Sequence, residues 1–343
     1  YKIHSAGKDN LQARIQVQSN PRLEVISAWD YLKNYPYECN EQIVSKWFGL
    51  KMVEYIEKNY PAIATYFKSL NTDEAAGKLE ENATLSQLKL EEMPWLRDVA
   101  KDEQRLKIIA KLFNSISQQE LKTLEQKISK NQLPAGGYSW FDGGKENTYI
   151  STRILEVMGK ALLLDHSLIN ANMKNVAQKL SNYLDNDTAI FNPLHANYYG
   201  LEYLYARHYW NGYFPMDKQK IEKLQAIIQK SSLSTANLPA GIAAKSWVSS
   251  QLFGTGKTSN EIKNRITQEA ISDNERGMYW ESNSSYYNSS SLQSYMVEAY
   301  KLHDPSKLHE ITQYLFYSKQ ANNWQTTWMT VDAVYALLLA NNP

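Results

Sequence analysis

The chain has 343 residues, 43% of them hydrophobic, and its 37 Lys and Arg against 36 Asp and Glu leave a net charge of +1. That balance excludes the basic footprint of a nucleic-acid or anionic-membrane binder, and no run of 18 apolar residues is present to span a bilayer. One cysteine, Cys39, excludes an internal disulfide framework and a cysteine-rich zinc site.

In chain order, residues 11–18 (LQARIQVQ) alternate apolar and polar, which predicts a half-buried strand that Pro21 ends. Helical periodicity then predicts helices over 22–33, 40–58, 62–70, 95–114, 117–130, 148–164 and 170–184. Further helices are expected over 195–209, 217–231, 239–252, 259–271, 288–302, 306–318 and 328–340. The acidic, polar stretch 71–94 reads as an insertion or connector. No Pro/Gly/Ser-rich linker divides the chain, so a single large all-α domain is expected over 21–343, with a short β segment before it in 1–20. The chain opens on Tyr1 with no Met and no apolar leader, as an excised piece or a mature form would.

A loose repeat runs through the helical part. An aromatic anchor, a polar gap with Ser or Thr and then a helix occur at 136–158, 277–300 and 322–340, and more weakly at 189–209. Trp140, Phe191, Trp280 and Trp324 are 51, 89 and 44 residues apart, a period that holds two helices and two loops. Helical hairpins repeated around a ring form an α/α toroid, and in a line a solenoid. In a ring the aromatic loops gather at one end, where a site is expected.

Three motifs compete for that site. GTGKTS (254–259) ends like a phosphate-binding loop, but Gln251 stands where the first glycine belongs and a helix precedes it, so nucleotide binding is rejected. Asp142, Glu146, Glu281 and Asp332 fall in or near the aromatic loops, where paired carboxylates would suit a carbohydrate-active enzyme and solvated loop acids would suit nothing in particular. The six histidines make no HExxH frame, so no helical zinc site, and no metal or cofactor, is expected. His195, in FNPLHANYY, stands at a helix start after an aromatic anchor.

The sharpest motif is YPYECNEQ (35–42). Pro36 biases Tyr35 away from helical backbone, which places Cys39 at the first turn of the helix over 40–58. A thiol there meets unpaired N–H groups and the positive end of the helix dipole, which favour the thiolate. Gln42, three residues on, shares its helix face, so Sγ and the side-chain amide carbon can meet. Attack with loss of ammonia gives an internal thioester, with Glu41 between them as a proton-transfer group. Tyr35, Tyr37 and Trp47 are the aromatics expected to keep water from it.

Cys39-Asn-Glu-Gln42, preceded by Tyr35-Pro-Tyr, resembles the Cys-x-Glu-Gln thioester signature of the α2-macroglobulin and complement family. RLEVISAWDYLKNYPYECNEQ is similar to the family's lead-in helix, GGYSWF…NTYIST to its GGY segment, and NWQTTWMTVDAVYALL to its terminus, so the resemblance covers most of 20–343. It implies an α/α toroid of six helical hairpins carrying the thioester near one face. It further implies a protease trap of the bacterial, periplasmic or cell-envelope kind. There a cut bait region exposes the thioester, and a nucleophile on the attacking protease, often a lysine amine, takes the acyl group. The partners implied are target proteases and neighbouring macroglobulin-like β-domains. The implied role is that of a single-use covalent inhibitor, with no catalytic turnover. Some relatives use a histidine as an acyl carrier, and His195 matches that role. The chain departs from the pattern at Glu38, where the family usually has glycine, and at Asn40, where vertebrate members do. If position 38 requires φ > 0, a glutamate there is strained. Two other readings remain beside this one, a carbohydrate-active toroid enzyme and an interaction domain that has lost the thioester.

Overall fold

A computed structural model describes residues 31–69, 118–230, 238–254, 256–281, 289–319 and 323–341, together with Val25, Ala28, Trp29 and Phe113. The strand expected at 11–18, the connector at 71–94 and the helix at 95–114, Phe113 apart, lie outside the described residues. Twelve α-helices are present among the described residues: α1 (Asn40–Asn59), α2 (Pro61–Ser69), α3 (Gln118–Asn131), α4 (Thr148–Leu164), α5 (Ala171–Leu184), α6 (Leu201–His208), α7 (Lys218–Lys230), α8 (Ala240–Phe253), α9 (Gly256–Glu269), α10 (Ser289–His303), α11 (Leu308–Ser318) and α12 (Thr327–Ala340). Side-chain oxygens cap the starts of several of them. Asn147 accepts from the Ile150 N–H, Asn170 from Met173 and Thr326 from Met329, each satisfying a donor that the first turn leaves open.

Two expected helices begin differently, and one element is new. The helix at 195–209 opens as a π-turn, Ala196–Gly200, before α6, and the one at 306–318 opens as a 3-10 turn, Pro305–Lys307, before α11. A short antiparallel hairpin, β1 (Ile271–Asp273) and β2 (Gly277–Tyr279), pairs Ile271 with Tyr279. The helix expected to run on to residue 271 ends at Glu269, since the hairpin needs Ile271 extended. Gly277 makes the hairpin possible: its φ is +80°, and a Cβ there would stand 2.2 Å from the Glu310 carbonyl oxygen.

The helices are of two kinds. In α4, α6, α10 and α12 nearly every residue is buried whatever its face, whereas α3 and α5 bury a single stripe, Leu121, Glu125 and Ile128 in the first and Met173, Val176, Leu180 and Leu184 in the second. The first kind has neighbours on all sides. Contacts run from α1 to α4, α4 to α6, α6 to α8, α8 to α10 and α10 to α12, and α12 returns to α1. The second kind lies outside this circuit, α3 against α1, α5 against α4, α9 against α8 and α11 against α10 and α12.

Where the inner helices meet, the core is charged. Lys160 Nζ lies 2.6 Å from both Glu156 Oε1 and Asp332 Oδ1, and Arg153 Nη2 lies 2.6 Å from the same Asp332 oxygen while Nη1 binds Glu156. Lys245 bridges Glu156, at 3.2 Å, to Glu202. Tyr205 and Tyr209 donate to Glu298 at 2.5 and 2.8 Å. Buried charges are tolerated only when paired this closely, and these pairs stitch α4, α6, α8, α10 and α12 together.

Candidate functional site

Cys39 is the N-cap of α1, in extended conformation with φ −71° and ψ 167°. It is 5% exposed. Its N–H donates to Gln42 Oε1 at 2.9 Å, and in return the Gln42 N–H meets the Cys39 side chain. This is a capping box in which cysteine takes the place usually held by serine or threonine. It holds the thiol and the carboxamide of the sequence motif against each other at the head of one helix.

The electrostatics of the thiol differ from the sequence expectation. Burial raises its pKa, and the backbone N–H groups of Gln42 and Glu41 pull it down, while the nearby Glu41 carboxyl pushes up again; the net direction is upward. The helix start does act on the sulfur, as expected, but loss of water outweighs it. The thiolate fraction at pH 7 is therefore smaller than for a free cysteine. In a Gln42→Ala chain, where no thioester can form, iodoacetamide alkylation of Cys39 is expected to rise only above the ordinary thiol midpoint of about 8.5. A midpoint below that value would show that the N–H groups prevail over burial.

Glu41 faces away from water. Its Oε1 accepts from Ser45 Oγ at 2.7 Å, and Thr327 Oγ1 lies 3.1 and 3.0 Å from its two oxygens, which joins the start of α1 to the start of α12. Burial lifts its pKa above the usual carboxylate range, against the hydroxyls of Ser45 and Thr327 and the charge of Arg153. The raised pKa makes Glu41 a stronger base than a solvated carboxylate, while the raised pKa of the Cys39 thiol makes its proton harder to remove.

Asn40 is fixed at three points. Its N–H donates to the Trp140 carbonyl at 3.2 Å, its Nδ2 to the Ser139 carbonyl at 2.8 Å, and its Oδ1 accepts from Asn131 Nδ2 at 2.8 Å. The GGYSWF segment therefore lies directly on the motif. It is placed there by Gly136, whose φ of +100° and proximity to the Lys179 carbonyl (2.5 Å from an added Cβ) admit no side chain.

Glu38 is not strained. Among the described residues the one non-glycine position with positive φ is Gln325. The Glu38 carboxylate pairs with Lys127 and lies 3.7 Å from Lys46, and these partners hold its pKa below the usual range.

The three aromatics expected as a shield are differently placed. Tyr35 is half-buried between Tyr31 and Tyr37, with ring centroids 5.6 and 5.9 Å away. Tyr37 is 67% exposed. Trp47 sits two turns down α1 in the core and donates to Glu125 at 3.3 Å. Sequence reasoning did not single out a row of aromatics that adjoins Asn40: Trp140, whose carbonyl holds Asn40, stacks on Tyr149 at 6.1 Å, and Tyr149 meets Trp328 at 5.7 Å. His195 is exposed, edge-on to Tyr199 at 6.1 Å, and neither ring nitrogen bonds to Cys39 or Gln42.

Tyr149 and Trp328 also line a small, partly open cleft together with Arg153, Glu156, Glu202 and Lys245. All but Glu156, at the midpoint of α4, come from the N-terminal half of their helices, so α4, α6, α8 and α12 present their N-termini at a common end, and the Thr327–Glu41 bond places the start of α1 beside that of α12. Burial opposes ionisation of both acids. Arg153, Lys160 and Lys245 nevertheless hold Glu156 far below the usual range, whereas Glu202, facing chiefly Lys245, is raised. The carboxylates singled out from the sequence are scattered. Asp142 and Glu281 are exposed, Glu146 is half-buried beside Gly137, and Asp332 lies inside α12 in the ion network.

GTGKTS divides between Gly254, the C-cap of α8, and the first turn of α9, with a helix in front of it. Among the described residues no group of three His, Cys, Asp or Glu is arranged to hold a metal ion, and no helix is long and apolar enough to cross a membrane. No family model and no curated protein matches the chain.

Proposed function

We propose that the chain is the α/α-toroid thioester domain of an α2-macroglobulin-like covalent protease trap. The observation that carries this reading is the reciprocal bonding of Cys39 and Gln42, which puts a buried thiol and a half-buried carboxamide on one helix end. The closed circuit of six inner helices with outer helices against them supports the toroid. Cys39 Sγ attacks Gln42 Cδ, the Cδ–Nε2 bond breaks, and nitrogen leaves as ammonia with the thiol proton, relayed by Glu41. An amine of the attacking protease then takes the acyl group and Cys39 regains its proton. His195, on the same end, is the candidate acyl carrier for hydroxyl acceptors. Target proteases and flanking macroglobulin-like β-domains are the partners, in a periplasmic or cell-envelope setting.

A thioester leaves the chain about 17 Da light by the stoichiometry of ammonia loss, and methylamine is expected to abolish that deficit. Intact mass spectrometry reads both. A chain of full mass, with Gln42 intact on peptide mapping, overturns the proposal.

A second reading, a carbohydrate-active enzyme, draws support from the cleft, where Tyr149 and Trp328 flank Glu156 and Glu202, two buried acids whose pKa values are shifted in opposite directions. Glycan cleavage lost in Glu202→Gln would favour it over the trap.

A further inference from the structure

A primary carboxamide resists attack by a thiol because its nitrogen lone pair feeds the carbonyl. The reaction needs a donor placed where charge gathers on the oxygen. In this chain that place is occupied: Gln42 Oε1 lies 2.9 Å from the Cys39 N–H. Charge developing on Oε1 as Sγ closes on Cδ meets a main-chain donor that is already aligned. The Gln42 N–H meets the sulfur. The N–H of Asn40 is drawn off to the Trp140 carbonyl. The carboxamide oxygen, the sulfur and the Trp140 carbonyl thus each take a main-chain donor from the head of α1.

We propose that Cys39 supplies both the nucleophile and the oxyanion donor of its own acylation, and that Asn40 is the positioning residue that holds these groups in register. This rests on the thioester reading. Asn40 suits the role because its side chain is 3% exposed and bonded on both sides, to Ser139 and Asn131. Its anchors are themselves anchored. The Tyr138 N–H donates to Ser151 Oγ at 2.9 Å, the Tyr138 hydroxyl to the Ile128 carbonyl at 2.8 Å, and the Asn147 N–H to the Tyr138 carbonyl at 2.8 Å. The clamp thus ties α3, α4 and the GGYSWF segment to the single peptide that follows Cys39. The step needs no oxidant and no co-reactant: Sγ–Cδ forms, Cδ–Nε2 breaks, and the thiol proton leaves on ammonia.

The test is to refold the 343-residue chain from urea and follow by mass the growth of the ammonia deficit, or of glutamate at position 42 left by a thioester that formed and hydrolysed. Asn40→Ala and Asn131→Ala are each expected to slow the reaction on the order of tenfold to a hundredfold, the cost of a small misplacement of reacting groups. The double variant should be no slower than Asn40→Ala alone, since both residues lie on one hydrogen-bond chain. Far-UV circular dichroism on the same samples should show helix returning at the wild-type rate, which a merely structural lesion would not give. Wild-type kinetics in Asn40→Ala, with a wild-type chain that forms the thioester, overturn the clamp and leave the thioester reading standing. A wild-type chain that shows neither product overturns both.

Discussion

Cys39→Ser is expected to abolish covalent capture completely while leaving the fold as stable as before, or more so. The serine hydroxyl accepts from the N3 backbone N–H better than a thiol and ranks among the preferred N-caps, so the capping box survives and the change in stability stays within about 1 kcal/mol on the favourable side. The chemistry does not survive. An alkoxide is far less accessible than even the raised thiolate of Cys39, and an ester would not be the activated acyl group that a thioester is. Gln42→Ala is expected to lose capture equally, but it also removes the acceptor of the Cys39 N–H and so costs about 1 kcal/mol of helix capping. Incubation with a protease followed by denaturing electrophoresis, beside thermal melting of both variants, checks the pair. A Cys39→Ser chain that still yields a protease adduct would refute the role given to the sulfur.

Asp332→Ala is expected to cost about 3–5 kcal/mol, the penalty for leaving buried charges without their partner. Asp332 is completely buried and takes Arg153 and Lys160 on one oxygen and the hydroxyls of Ser291 and Tyr295 on the other. Removing it leaves two cations facing Glu156 alone. The pH dependence has a definite sign. Burial works against the Asp332 carboxylate, but Arg153 and Lys160 prevail and hold its pKa below the ordinary value. Its stabilisation is therefore present above the unfolded value of about 3.9 and fades as pH falls through the lower folded value. Urea denaturation at neutral pH and again in acid reads both effects: the variant should start lower at neutral pH and lose less on acidification. A loss under 1 kcal/mol at neutral pH would mean that the network relaxes around the gap.

The helical elements were legible because their signals are local. Periodicity alone placed most helix ends among the described residues within a residue or two. The hairpin at Ile271–Tyr279 was not legible, since three-residue strands give too few positions for an alternating pattern. It depends on Gly277 meeting a carbonyl of α11, a contact between segments far apart in sequence. The site divides in the same way. Cys39 and Gln42 are neighbours on one helix turn and could be paired by spacing. Asn40 reads in sequence only as a departure from glycine, because Ser139 and Asn131 come from elsewhere in the chain. Trp47, assigned as a shield by its nearness in sequence, points into the core toward Glu125, and the aromatic row that adjoins Asn40 comes from Trp140, Tyr149 and Trp328. The ion network was illegible for a different reason. Asp332 looks like any acid at the head of a helix until α4 is laid beside α12.

The bond between Glu41 and Thr327 joins residues 286 positions apart. Closing so long a loop carries a large entropic cost that is repaid only once the intervening helices are in place. During synthesis α1 emerges early and α12 last. Until α12 docks, the Glu41 carboxyl lacks the hydroxyl of Thr327. Burial in the finished fold raises its pKa, and the Thr327 hydroxyl works against that rise. On the thioester reading, the proton relay proposed for Glu41 is therefore assembled across the whole length of the chain, and its surroundings are complete only when α1 and α12 have met.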